Sequence, residues 1–282
     1  MLRTALFLLG LGLTAAPVMG QVGQETTPDY HIHAIRYATL PDFPLAGLMP
    51  GAPRGERLDI PMIFWVIQGG GRTILLDTGF HRPPWADDYG VTDFMAADEA
   101  VGLLGLEPGD VTDIIVSHAH WDHMGGIDLF PDATIWIQEE EFRYYTGPAW
   151  QESGRHGGID PADVLELVRR NTAGKVRLIP GDDVEILPGI RVYTGARHTF
   201  ASQYVRVDGD PPILLASDNA YLFRNLEEGR PIATFDPADS TANKDALARM
   251  IELVGGIEHI VPGHDPEEFQ RFPTQGRVAT IR

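Results

Sequence analysis

The densest group of potential metal ligands in the sequence follows the apolar segment Ile114-Ile115-Val116. Three histidines and one aspartate fall within six residues, in the order His118, His120, Asp122 and His123. Because side chains alternate along an extended chain, His118 and His120 are expected to point the same way. Asp122 and His123 come after the predicted strand end, where they can face a second ion beside the first. Imidazole nitrogen and carboxylate oxygen are ligands that a borderline ion such as zinc accepts.

Four more polar residues follow apolar strands or the turns that end them, where binding sites collect in layered sheets. They are Asp77, His198, Asp218 and His264. Loop contacts and helix caps could account for one such residue, but hardly for five histidines and three aspartates in this order. The sequence therefore predicts a metal site that is assembled from several strand ends.

The other five histidines lack comparable partners. His31 and His33 form a second H-x-H motif, but no Asp-His pair follows them, and we interpret them as one face of an edge strand. His81 and His156 lie in predicted loops, and His259 begins the last predicted strand. None of these residues is assigned to the predicted metal site.

The elements that must position the candidate ligands are predicted from apolar periodicity and turn residues. Strands are predicted at 30–37, 60–67, 73–76, 113–116, 134–137, 176–179, 184–187, 190–194, 203–207, 213–216 and 259–261. Helices are predicted at 93–104, from 139 onward, at 161–171 with Asp160 as N-cap, and at 242–254. Residues 38–59 contain several prolines and glycines and are predicted to form a long loop, a length that is often functional. The mixed order of strands and helices indicates sheets covered by helices on the outside.

Composition limits the classes of partner. The chain has 282 residues, 43% of them hydrophobic, and a formal net charge of −18. That charge is a poor match to a phosphate backbone, so no nucleic acid partner is expected. The chain has no cysteine, so every metal ligand must be nitrogen or oxygen.

The first twenty residues have the pattern of a secretory signal peptide. Arg3 precedes an apolar run over 5–16, and small residues lead to a cleavage site after Gly20. The apolar run is too short to span a bilayer comfortably, so no membrane anchor is expected. We therefore predict a signal peptide at 1–20, a single domain at 21–282, and a periplasmic or secreted protein.

Over residues 60–265 these motifs resemble those of the metallo-β-lactamase superfamily. The resemblance implies an α/β (α+β) fold, a four-layer αββα sandwich with the site at one end of its two sheets. It also implies two divalent metal ions, with zinc expected. The first ion would bind His118, His120 and His198; the second would bind Asp122, His123 and His264; Asp218 would bridge the two. Asp77 would support the site by orienting the histidine loop.

The segment Ser217-Asp218-Asn219-Ala220-Tyr221 resembles that of the N-acyl-homoserine lactone lactonases within this superfamily. The resemblance implies a hydrolase that opens a small-molecule lactone with metal-activated water. Tyr221 would line the site and donate a hydrogen bond to the developing oxyanion. Asp122 would pass a proton to the leaving oxygen. Alternatively, Tyr221 is only a half-buried packing residue.

Other functions remain open at this point. The same site would suit a periplasmic β-lactamase, a thioesterase or a phosphodiesterase, and a non-catalytic metal-binding protein is the alternative from another class. Histidine-only β-lactamases typically lack the bridging carboxylate, so Asp218 favours the other hydrolases. The sequence leaves the oligomeric state open and is compatible with a homodimer.

Overall fold

The computed structural model describes residues 28–83 and 85–282. The predicted signal peptide at 1–20 lies outside the described residues. The strands, in chain order, are β1 (His31–Pro44), β2 (Arg57–Gly69), β3 (Arg72–Leu76), β4 (Asp113–Ile115), β5 (Thr134–Gln138), β6 (Val176–Ile179), β7 (Val184–Leu187), β8 (Ile190–Thr194), β9 (Gln203–Val207), β10 (Ile213–Ser217), β11 (Ile260–Pro262), β12 (Thr274–Gln275) and β13 (Val278–Thr280).

The strands form two sheets. An eight-stranded sheet has the order β12-β13-β1-β2-β3-β4-β5-β6, and a five-stranded sheet has the order β11-β10-β9-β8-β7. Strands β3 to β6 pair in parallel, as do β10 and β11, and the remaining pairs are antiparallel. Because β3, β4 and β5 are parallel neighbours, their carboxyl ends meet at one edge of the larger sheet.

The α-helices lie between and after the strands. In chain order they are α1 (Leu45–Leu48), α2 (Trp85–Tyr89), α3 (Ala97–Ala100), α4 (Trp121–Met124), α5 (Glu139–Tyr145), α6 (Pro161–Thr172), α7 (Phe223–Glu228), α8 (Ser240–Val254) and α9 (Glu268–Arg271). Asp160 caps α6 as predicted, because its side chain accepts a hydrogen bond from the backbone N–H of Ala162 at 2.8 Å. Within the described residues, none of the helices is both long and apolar enough to cross a bilayer.

Alternation along β2 shows how the layers are built. Ile63, Trp65 and Ile67 point into the core between the two sheets, where they join residues of β8, β9 and β10. Phe64 and Val66 point the other way, into a core that α3 and α6 cover. On the outer face of the smaller sheet, α8 packs in a third cluster. The order helix, sheet, sheet, helix confirms the predicted αββα sandwich.

The predicted loop at 38–59 is wrong in part. Strand β1 continues to Pro44 and pairs with β2, with Leu40 opposite Ile60 and Phe43 opposite Leu58. A register shift between Leu40 and Phe43 lets the strand bend without ending. The prolines and glycines therefore mark a bent pair of strands and a short connection that contains α1.

Two further predictions need correction. The helix predicted at 93–104 is confined to α3 and a 3₁₀ turn at Val101–Leu104, because Met95 N–H bonds the carbonyl of Tyr37 at 2.8 Å and so ties the preceding segment to β1. His31 and His33 are not on an edge strand, since β13 pairs with β1 on the side opposite β2.

The turn after the histidine motif depends on a close approach of two backbone segments. Gly125 and Gly126 follow α4, and neither adopts a positive φ. A Cβ at Gly126 would overlap the carbonyl oxygen of Thr78, and one at Gly125 would overlap that of Trp121. Glycine is required here because the loop after β3 and the loop after β4 touch through their main chains.

We predict that Gly126→Ala destabilises the protein by about 1–3 kcal/mol, because the added methyl group forces Thr78 away from the loop. Urea unfolding followed by circular dichroism measures this change. Gly109→Ala is the matched control, since a Cβ at Gly109 would meet no atom within 4 Å. Equal stability of Gly126→Ala and the wild type would contradict the argument.

Candidate active site

The first group of ligand atoms brings three predicted histidines together. His120 Nδ1 lies 3.0 Å from His118 Nε2 and 2.9 Å from His198 Nε2. The Asp218 carboxylate completes the group, with Oδ2 at 3.3 Å from His198 Nε2 and 3.8 Å from His118 Nε2. The loop after β4 supplies His118 and His120, and the loop between β8 and β9 supplies His198. Four potential ligand atoms thus converge on one point from both sheets.

The second group contains the remaining predicted ligands and shares Asp218. Asp218 Oδ1 lies 3.3 Å from His123 Nε2 and 3.1 Å from His264 Nε2. His123 Nε2 is also 3.4 Å from Asp122 Oδ2. One oxygen of Asp218 therefore faces each group, which is the arrangement expected of a bridging carboxylate.

Asp77 connects three strand ends at the base of the site. Its Oδ1 accepts a hydrogen bond from the backbone N–H of Ser117 at 2.8 Å. Its Oδ2 accepts from Ser117 Oγ at 2.7 Å and from Ser217 Oγ at 3.0 Å, and lies 2.8 Å from His123 Nδ1. The residue is fully buried. Asp77 therefore joins the loop after β4 to the end of β10 through Ser117 and Ser217.

The second ring nitrogen of each deeply buried histidine has its own partner. His118 Nδ1 lies 2.9 Å from Ser117 Oγ, and His264 Nδ1 lies 2.9 Å from the carbonyl oxygen of Pro61. With the contact between His123 Nδ1 and Asp77, these bonds leave the Nε2 atoms pointing into the site. Such contacts fix the tautomer and the orientation of the ring.

Burial and neighbouring charges together set the protonation of the site residues in the metal-free chain. Burial, reinforced by His123, holds the pKa of His118 well below its usual range. Burial and the adjacent His198 lower the pKa of His120 to about 3. These rings are therefore neutral, which is the form that binds a metal. Burial alone would raise the pKa of Asp218, but His123 outweighs it and holds that pKa well below its ordinary value.

A cavity of about 300 Å³ opens onto the two groups. One wall is apolar and comes from the bent pair β1–β2 and from α1: Leu40, Phe43, Leu48, Ile60 and Met62. Tyr89 and Trp121 also line the cavity, with their rings stacked at 5.4 Å and 17°. None of the described residues that line it is a lysine or an arginine. The cavity thus presents apolar surface and the metal-ligand groups, without a fixed cation.

Tyr221 lines the same cavity and is 8% exposed. Its Oη lies 3.2 Å from His198 Nδ1. Burial, followed by the nearby Asp218 and Asp122, raises the pKa of Tyr221 well above its ordinary value, so the phenol keeps its proton. After Asp218 the chain therefore returns to the cavity and places Tyr221 in its lining.

Several residues of the site were not predicted from the sequence. Ser117 and Ser217 directly precede predicted ligands at strand ends. This position in the sequence is the one feature from which their role could have been predicted. Tyr37 donates a hydrogen bond from its hydroxyl to the carbonyl oxygen of Asp122 at 2.8 Å. Glu141 accepts hydrogen bonds from the ligand loops, and no local motif distinguishes it from its neighbours.

His81, one of the histidines that were not assigned to the metal site, pairs with Asp128 at 2.9 Å.

A two-sheet αββα sandwich with this histidine and aspartate cluster at the end of its sheets defines a metallo-β-lactamase-type hydrolase. The chain belongs to the metallo-beta-lactamase superfamily, whose family model matches residues 64–264. The predicted superfamily and fold class are thereby confirmed.

Known relatives agree with the predicted resemblance. The chain is 29% identical over 230 residues to an N-acyl homoserine lactonase of Bacillus sp., covering 76% of this chain and 85% of the relative. It is 28% identical over 236 residues to N-acyl homoserine lactonase AttM of Azorhizobium caulinodans, covering 77% and 87%. A crystal structure of a Bacillus thuringiensis AiiA mutant with N-decanoyl-L-homoserine bound superposes with a TM-score of 0.70 at 22% identity, over 88% of this chain and 98% of that one. The predicted class, a metal-dependent hydrolase, is confirmed.

We predict that Asp77→Asn lowers the free energy of unfolding of the metal-free protein by about 1–3 kcal/mol, because the amide nitrogen leaves a buried donor without an acceptor. Chemical denaturation in the presence of a chelator gives this value. Asp245→Asn, on an exposed position of α8, removes the same charge without these contacts and serves as the control. Similar stability losses in the two variants would contradict the supporting role of Asp77.

Proposed function

We propose that this protein is a binuclear metal hydrolase that opens N-acyl-homoserine lactones or closely related neutral lactones. The observation that carries the proposal is the position of Asp218, whose two oxygens face two separate groups of histidines. The names of the curated relatives support the choice of substrate.

The residues fit two divalent ions. His123 Nε2 and Asp218 Oδ1 are buried and have no hydrogen-bond partner. Burying a polar atom without a partner costs free energy, and a bound cation would provide that partner for both atoms. The first ion would be held by His118, His120 and His198, the second by Asp122, His123 and His264, with Asp218 between them. Nitrogen and oxygen donors of this kind suit zinc. Bound there, the ions would supply Lewis acidity toward the carbonyl oxygen and would lower the pKa of water.

The chain's own residues orient the substrate and move protons. If His198 binds an ion through Nε2, its proton lies on Nδ1, where Tyr221 Oη at 3.2 Å and the carbonyl oxygen of Ala233 at 3.4 Å are the two acceptors. The phenol hydrogen of Tyr221 is then free to donate to the carbonyl oxygen of the substrate as negative charge develops on it. Asp122 lines the cavity and is kept ionised, because His123 outweighs the effect of burial on its pKa. Its carboxylate could therefore take the proton that the attacking water loses and deliver it to the leaving ring oxygen.

The lining of the cavity favours a neutral substrate. A β-lactam antibiotic and a phosphodiester each carry a negative charge, which a lysine or arginine beside the ions would stabilise further. The described lining offers neither, whereas the wall formed by Leu40, Phe43 and Met62 can pack against an acyl chain. This difference favours a lactone over the β-lactamase and phosphodiesterase alternatives.

Hydrolysis of three substrates by the zinc-loaded protein tests the proposal. We expect turnover of an N-acyl-homoserine lactone, no significant turnover of a chromogenic cephalosporin, and slower turnover of an aliphatic thioester. A chelated sample is the control. Preference for the cephalosporin or the thioester would refute the lactonase assignment while leaving the metal-dependent hydrolase intact.

Purified protein reconstituted with zinc is expected to contain two ions per chain by elemental analysis. His118→Ala should lose both metal and activity, since removing one ligand also weakens the site that shares Asp218. A stoichiometry near one after remetallation would rule out the binuclear proposal.

Tyr221→Phe removes one hydroxyl and keeps the packing. We expect kcat for lactone hydrolysis to fall about tenfold, less than the roughly 10²–10³ seen for isolated oxyanion donors, because the metals carry most of the polarisation. Metal content, measured on the same sample, should not change. Unchanged turnover would mean that Tyr221 is only a packing residue.

Export through the predicted signal peptide is part of the proposal and rests on the sequence of residues 1–20. N-terminal sequencing of protein from the periplasm or the medium is expected to begin near Gln21. Full-length protein retained in the cytoplasm would contradict it.

A further inference from the structure

A buried carboxylate connects the two loops that supply the first group of ligands. Glu141 lies on α5 and is 1% exposed. Its Oε1 accepts hydrogen bonds from the backbone N–H of Ala119 at 2.9 Å and from Thr199 Oγ1 at 2.6 Å. Its Oε2 accepts from the backbone N–H of Ala201 at 2.6 Å. We infer that Glu141 is a positioning residue that sets the distance between the two loops and thereby the affinity of the His118–His120–His198 site for its ion.

The placement of the three donors supports this role. Ala119 lies between His118 and His120 in the chain, and Thr199 follows His198 directly. A shift of either donor therefore moves a ligand. The ring nitrogens of His120 and His198 are 2.9 Å apart, close enough for one ion to contact both, so a change in the distance between the loops would alter how that ion is bound.

A second set of contacts between the loops lies at the strand ends, before His118 and after His198. Gln203 N–H bonds the carbonyl of Ser117 at 2.8 Å, and the Gln203 amide donates to the carbonyl of Val116 at 2.8 Å. These bonds hold the strand ends of β4 and β9 together. Glu141 alone among these residues contacts both loops at the level of the ligands, so its loss should alter metal binding more than folding.

The chemistry of the donors requires a carboxylate. Two of the three partners are backbone N–H groups, which can only donate. Glu141→Gln keeps the size of the side chain but directs an NH₂ group at one of these donors. The three histidine ligands would remain, but their preorganisation would be lost, and the loss of a contact of this kind typically changes metal affinity about 10- to 100-fold.

This inference rests on the proposed function, because it assumes that the first group binds an ion. The experiment is a zinc titration against a chromophoric chelator, which reads affinity without substrate. Glu141→Gln is expected to lower the affinity for one of the two zinc ions by about 10- to 100-fold and to change the affinity for the other ion less. Glu140→Gln, an exposed neighbour that loses the same charge, should bind both ions as the wild type does.

Thr199 provides a second and milder test. Thr199→Val removes the hydroxyl that donates to Glu141, whereas Thr199→Ser keeps it. We expect weaker zinc binding for the valine variant and wild-type binding for the serine variant. This pair decides the question if Glu141→Gln fails to fold.

Three results would overturn the positioning role: wild-type zinc affinity in Glu141→Gln, an equal loss in Glu140→Gln, or equal affinities in the two Thr199 variants. A wild-type chain that binds no zinc would overturn this inference together with the proposed metal centre. A chain that binds two ions but leaves lactones intact would refute only the lactonase assignment, and the titrations of the variants would still decide the role of Glu141.

Discussion

The buried carboxylate of Asp77 is the constraint on which the site depends. It binds the ends of β3 and β4 in the larger sheet and the end of β10 in the smaller one, through Ser117 and Ser217. Asp77 itself has a φ of +64° and Ser217 a φ of +45°, values that residues with a Cβ rarely adopt. Strained backbone of this kind persists where surrounding contacts hold it, here at the points where the chain turns from strand to ligand.

Each candidate ligand follows an apolar strand or the turn that ends it, and this signal is present in the local sequence. The first candidate ligands lie within six residues of one another, so local sequence is enough to group them: His118, His120, Asp122 and His123. The assignment of His198, Asp218 and His264 required the resemblance to a known superfamily, because nothing in their local sequence shows that three separate strand ends meet. The structure shows that they meet, with one oxygen of Asp218 facing each group.

The failures of prediction have physical causes that local sequence does not reveal. The segment at 38–59 contains turn residues, yet pairing with β2 keeps much of it extended and forms the apolar wall of the cavity. Glu141 stands in the run Glu139-Glu140-Glu141, which has the composition of a solvated surface. Successive residues of a helix point in different directions, so only Glu141 of this run is buried. Tertiary packing, not composition, separates it from its neighbours.

The position of the site across both sheets has a consequence for the stability of the whole sandwich. The larger sheet contributes the motif after β4, and the smaller sheet contributes the ligands beside β8, β10 and β11. The chain has no cysteine, so no disulfide can join the two sheets covalently. Ions bound at this edge would join them instead, and because the unfolded chain lacks a preformed site, their binding free energy would add to the free energy of unfolding. The same centre that activates water would then act as a cross-link, and the resistance of the protein to heat would follow the supply of metal in the compartment where it resides.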